Sequence, residues 1–150
     1  MEHRITPTSY KTYHVTATRV DDSHTRITAR GHELTLNIKK GAGEAGFNAA
    51  ETLLAALGAC LLTNVNAIGQ KMRLDIRSAR IEFDAARTDE PPTLTDIRYQ
   101  LILESPEPPE KLKDLADLCF KWGTVTTTLV NGLVPKGALV IEGGQQNEQG

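Results

Sequence analysis

The chain is 150 residues long, 39% hydrophobic and 24% charged, with a formal net charge of −2 at pH 7. That suffices for one domain with a single core over residues 1–150, and the composition is neither that of a disordered chain nor dominated by one charge sign. A nucleic-acid or anionic-membrane role has no compositional support, and two cysteines are too few for a disulfide scaffold.

Residues Met1 to Tyr10 are charged and polar and lack the apolar core of a secretory signal. The expectation is a soluble, cytoplasmic protein whose thiols stay reduced, so that any disulfide would be catalytic or transient. Three segments then alternate apolar and polar residues and are rich in β-branched side chains, which predicts strands at Tyr13–Thr18, Arg26–Arg30 and Glu33–Ile38. Asp21-Asp22-Ser23-His24 and Gly31-His32 supply the turns between them. The glycine-rich stretch Gly41–Gly46 is a loop, and Asn48 is placed to cap a following helix.

That helix is predicted from Ala49 to Met72. Its segment Leu53–Leu62 is apolar all round but far short of the roughly 20 residues that span a bilayer. A helix with no polar face in a soluble protein must be enclosed on every side, and a chain this short has little material for that. A partner subunit is the simple explanation, and Ala55, Ala56, Gly58 and Ala59 would let another backbone approach closely.

Long strands are predicted at Leu74–Arg87 and Leu94–Glu104, forming a hairpin around the proline-stiffened Thr88–Thr93. Pro106–Pro109 breaks the chain and opens a helix, Glu110–Trp122, with Leu112, Leu115, Ala116, Cys119 and Trp122 at helical spacing. A short helix Thr124–Asn131, a last strand Ala138–Glu142 and a frayed polar tail Gly143–Gly150 complete an α+β pattern. The histidines His3, His14, His24 and His32 have no paired spacing and no cysteine or carboxylate cluster nearby, so neither a metal nor another cofactor is expected.

The run Gly46-Phe47-Asn48-Ala49-Ala50-Glu51-Thr52-Leu53-Leu54-Ala55-Ala56-Leu57-Gly58-Ala59-Cys60 resembles the motif Gly-x-Asn-Pro-x-Glu-x-Leu-Leu-Ala-Ala-x-x-x-Cys of the OsmC/Ohr family, with Ala49 in place of the proline. The order of strands and helices extends the likeness over most of the chain. The resemblance implies an intertwined homodimer in which two antiparallel sheets wrap around long central helices, with sites at the subunit interface. It also implies a thiol peroxidase: Cys60 attacks the O–O bond of an organic hydroperoxide and becomes a sulfenic acid. A second cysteine then closes a disulfide, which an external dithiol reduces. Glu51 is the implied site carboxylate, and the family arginine maps onto Arg19 or, less well, Arg26.

The chain departs from the second family motif, Leu-Ala-x-Leu-Ala-x-x-x-Cys-Pro-Val-x-x-Thr-Leu. Aligned without gaps on Leu115–Leu129, the cysteine position falls on Gly123 and the proline on Thr124. Cys119 lies four residues earlier, on the same helix face and about 6 Å back along the axis. A disulfide tolerates Cα separations up to about 7 Å, so Cys119 either replaces the missing thiol or is a core residue. Cys60 itself, outside the motif, would be a small hydrophobe in an apolar run. Glu51 could serve only the helix dipole, since nine residues rotate it roughly 180° from Cys60, and contact would need a kink or a partner subunit. Arg19 could be a solvated strand-end charge. Phe120 and Trp122 flank position 123 as pocket lining or core, and the threonines from Thr124 to Thr128 cap the short helix or line the site with hydroxyls. Three functions follow: a hydroperoxide reductase, a non-catalytic protein of the same fold that binds an apolar small molecule at the dimer interface, or a structural dimer whose cysteines are inert.

Overall fold

The computed structural model describes residues 11–41 and 43–143. The fold is α+β, with strands β1 (Thr16–Arg19), β2 (His24–Ala29) and β3 (His32–Asn37), helix α1 (Ala49–Lys71), strands β4 (Ser78–Asp89) and β5 (Pro92–Glu104), and helices α2 (Pro109–Lys121) and α3 (Thr124–Asn131). It divides into two compact units, one made of the segments up to Ala59 with Ile81–Ile102, the other of Cys60–Arg80 with the segments from Leu103 onward.

In the first unit β1, β2 and β3 form an antiparallel sheet in that order. Ala29 pairs with His32, which leaves a two-residue turn at Arg30 and Gly31. Both have positive φ, 51° and 82°, the backbone twist that suits a tight hairpin. The turn between β1 and β2 is organised by Asp21, whose Oδ1 accepts the backbone N–H groups of Ser23 and His24, each at 2.8 Å. On the hairpin of β4 and β5, Phe83 and Tyr99 pack with ring centroids 5.8 Å apart. Phe83 also lies against Gly58, where a β-carbon would come within 3.1 Å of the ring.

Helix α1 begins with a reciprocal capping box. Asn48 Oδ1 accepts the Glu51 N–H at 2.8 Å, and Glu51 Oε1 accepts the Asn48 N–H at 3.0 Å. The helix ends with Arg73 at φ 57°, donating to the Gln70 carbonyl, while Leu74 N–H reaches back to Gly69 O at 2.9 Å. This left-handed cap uses up the start of the segment read as a strand from Leu74, so β4 begins at Ser78. Arg77 N–H to Glu104 O at 2.8 Å ties the open end of the hairpin, as an antiparallel pair requires.

Within this chain α1 is buried along one stripe, through Leu57, Gly58, Leu61, Val65 and Gly69, while Ala55, Ala56 and Ala59 are exposed, and two expectations change. Its 23 residues are long and apolar enough, by length and composition, to cross a bilayer, because the helix continues past the uninterrupted apolar run that ends at Leu62. The strand expected at Ala138–Glu142 is not formed: a strand needs a hydrogen-bonding neighbour, and Leu139 (86% exposed), Val140 and Ile141 have none among the described residues. The N-terminal ten residues and most of the expected frayed tail lie outside the described residues.

Arg73 carries a β-carbon in a conformation that glycine adopts freely. Arg73→Gly is expected to stabilise the protein by about 0.5–1 kcal/mol, seen in thermal unfolding as a rise in Tm of about 2 °C.

Candidate functional site

The second unit holds the cysteines. Pro109 opens α2, and the spacing of Leu115 and Cys119 puts both in the core, each 0% exposed. Trp122 caps its C-terminus, donating to Leu118 O at 3.0 Å, and Gly123 at once becomes the N-cap of α3. The two helices therefore meet at a sharp corner. Gly123 has φ −81° and ψ 131°, which any residue adopts, so its glycine identity is a matter of space. A β-carbon there would run into Thr126 Oγ1, stand 3.0 Å from Cys60 Sγ and 3.3 Å from the Cys119 carbonyl.

Cys60, half-buried on α1, presents its sulfur to this corner, and Sγ accepts the backbone N–H of Val125 at 3.4 Å. Val125 is the second residue of α3, and donors in the first turn of a helix have no acceptor within it. The Thr126 hydroxyl, 2% exposed, lies 2.6 Å from Phe120 O and 2.8 Å from Gly123 O, so one proton is shared between two carbonyls of the corner. One turn beyond Cys60, Asn64 donates from Nδ2 to the Cys119 carbonyl at 3.0 Å, fastening α1 to the end of α2. A cavity of about 430 Å³ opens nearby, lined by Asn64, Ala67, Ile68, Lys71, Leu118 and Trp122.

Cys60, Gly123, Val125, Thr126 and the backbone of Cys119 are thus brought together. Both cysteines are free thiols, and burial pushes the Cys119 thiol up from 9.0 to about 11. A thiol that holds its proton so strongly is a poor nucleophile. Glu51 is engaged in the capping box at the start of α1, nine residues or about 13.5 Å along the axis from Cys60. Arg19 is an exposed residue at the end of β1, opposite Thr25, and Arg26 on β2 pairs with Glu33 at 3.8 Å. Phe120 and Trp122 are exposed rather than core residues, Trp122 at 66% with the Lys121 ammonium over its ring. No group of three metal-ligating side chains occurs among the described residues.

Two participants were missed in the sequence, the Val125 N–H and Asn64, and Thr126 was read only within a run of threonines that cap α3 or line the site with hydroxyls. Asn64 left a usable signal, a polar residue one turn from Cys60 in an apolar helix. Thr126 left none, standing among Thr124, Thr127 and Thr128 with no local feature to single it out.

Residues 39–136 match the family of OsmC-like proteins. A hydroperoxide reductase of Mycoplasma genitalium is 26% identical over 115 residues, covering 74% of this chain and 82% of that protein. Among solved structures, an OsmC-like protein from Mycoplasma pneumoniae superposes with a TM-score of 0.74 at 23% identity, over 80% of this chain and 88% of the other. The organic hydroperoxide resistance protein OhrB of Bacillus subtilis superposes with a TM-score of 0.56 at 17% identity, over 79% and 90%.

The buried Cys119 thiol makes stability depend on alkaline pH. The unfolded thiol ionises near 9.0 while the folded one stays protonated to about 11, so its contribution is complete below pH 9 and is lost as pH rises toward 11. Cys119→Ala should cost about 1–2 kcal/mol at neutral pH through lost packing. In urea titrations, the gap between variant and wild type should narrow between those two pH values.

Proposed function

The chain belongs to the OsmC-like protein family, and on that premise we propose that it is a thiol-dependent hydroperoxide reductase in which Cys60 is the only reacting cysteine. The observation that carries this reading is the half-buried Cys60 sulfur held against the Val125 N–H at 3.4 Å. A sulfur anion is the nucleophile in such chemistry, and an N–H donor at a helix start favours negative charge on it. The Cys60 thiolate attacks the outer oxygen of ROOH. The O–O bond breaks, ROH leaves with a proton from solvent, and Cys60 becomes a sulfenic acid. An external thiol then condenses with it, releasing water and forming a mixed disulfide. A second thiol, or the other arm of a dithiol, displaces that disulfide and returns Cys60 to its reduced form.

The second sulfur comes from outside because Gly123 has none and Cys119 is buried and strongly protonated. The carboxylate and arginine implied by the family likeness map onto Glu51 and Arg19 or Arg26. Since α1 runs unbroken from Ala49 to Lys71, Glu51 reaches a Cys60 sulfur only from a partner subunit. A homodimer is supported independently by the exposed Ala55, Ala56 and Ala59 face of α1. It is supported also by the exposed apolar residues Leu133, Val134, Leu139, Val140 and Ile141, which form no strand among the described residues. The proposed location is the cytoplasm, where thiol reductants are available.

Peroxide loss with cumene hydroperoxide and a dithiol tests the reaction. Wild type and Cys119→Ser should turn over at similar rates, and Cys60→Ser should fall to background. Loss of turnover in Cys119→Ser would show that Cys119 resolves the sulfenic acid. No turnover by the wild type would favour the second function, a non-catalytic protein of the same fold that binds an apolar small molecule at the dimer interface.

The assembly has its own test. Light scattering should give twice the chain mass, and Leu139→Asp combined with Ile141→Asp should yield monomer or insoluble protein. A monomeric wild type at micromolar concentration would rule the homodimer out.

A further inference from the structure

We infer that Thr126 is a positioning residue for Cys60, holding the corner between α2 and α3 so that the Val125 N–H stays aimed at the Cys60 sulfur. The inference rests on the reading of Cys60 as the reacting thiol. The start of α3 is unusual in what caps it. An N-cap side chain ordinarily accepts the N–H of the second or third helical residue, but here the N-cap is Gly123 and no side-chain cap bond exists. The acceptor at the second residue is instead Cys60 Sγ, supplied from α1. Cys60 therefore serves as the cap of a helix it does not belong to, and the positive end of α3 falls on its sulfur.

The aim of that N–H depends on the corner. The Thr126 hydroxyl bridges Phe120 O at 2.6 Å on the α2 side and Gly123 O at 2.8 Å on the α3 side. It also fills the space where a β-carbon at position 123 would lie, so the same atom keeps position 123 bare beside the sulfur. Both carbonyls have backbone donors as well, Gly123 N–H to Phe120 O at 3.3 Å and Thr127 N–H to Gly123 O at 3.0 Å. Removing the hydroxyl thus leaves the helices their own hydrogen bonds and loosens the angle between them.

The test is the pH profile of Cys60 alkylation by iodoacetamide, followed by peptide mass in wild type, Thr126→Val and Thr126→Ser. A change in exposure scales the whole curve, whereas loss of the aimed N–H moves it along the pH axis. The midpoint in Thr126→Val should lie above that of the wild type, and Thr126→Ser should return it to the wild-type position. A Thr126→Val curve that coincides with wild type overturns the inference, as does a serine variant that fails to restore it. Should the valine variant not fold, the wild type alone decides. Its Val125 amide resonance must move with pH at the alkylation midpoint, and an unmoved resonance overturns the inference. Neither readout uses hydroperoxide, so a wild type without turnover sinks the reductase reading while the midpoint shift is judged separately.

Discussion

The second unit is organised by the close approach of α1 to the corner between α2 and α3. The Cys60 sulfur takes the Val125 N–H at 3.4 Å, the Thr126 hydroxyl bonds the Gly123 carbonyl at 2.8 Å, and a β-carbon at position 123 would meet both the sulfur and that hydroxyl. The approach requires a residue with no side chain at position 123, a polar group to satisfy the carbonyls of a sharp turn, and an acceptor for the first turn of α3. Gly123, Thr126 and Cys60 answer these needs in that order. Asn64 secures the same approach one turn further along α1. A core of this kind, with Leu61, Val65, Leu115 and Cys119 closing around hydrogen-bonded groups, leaves no buried side-chain polar atom unsatisfied among the described residues.

This packing bears on the redox chemistry. In the family pattern position 123 carries the second cysteine, and here it stands directly on the Cys60 sulfur with its side-chain space taken by Thr126. The local packing is therefore complete without a second thiol. Cys119 is the smaller buried residue that closes the core behind the corner, and what it turns toward position 123 is its carbonyl. The burial that makes it a good packing residue also raises its thiol to about 11, so packing and reactivity pull in opposite directions at that position.

A second physical constraint concerns apolar surface. In a single chain α1 buries one stripe and leaves its alanine face open, and the segment after α3 exposes five large aliphatic side chains. Large exposed apolar side chains in such number often mark an interaction surface. A homodimer, as proposed above, would cover both features and would give Glu51 a route to a cysteine that its own helix denies it.

Most of the elements were legible in the chain because hydrophobic periodicity and turn residues are local signals. Asn48 with Glu51 marked the start of α1, Pro109 opened α2, and the alternation in β2 and β3 predicted a hairpin whose turn is at Arg30 and Gly31. The boundaries that failed depend on something non-local. Leu74 is drawn into a helix cap, and Ala138–Glu142 has strand character but no strand neighbour among the described residues. Residue type and motif were enough to single out Cys60 and the anomaly at Gly123, which the fold brings together, and also Glu51, which it places in the cap of α1. Which of these share a place, and that a threonine among four and a backbone N–H join them, follows only from three helices meeting. Distances between residues some sixty positions apart are decided by packing, and no local pattern records them.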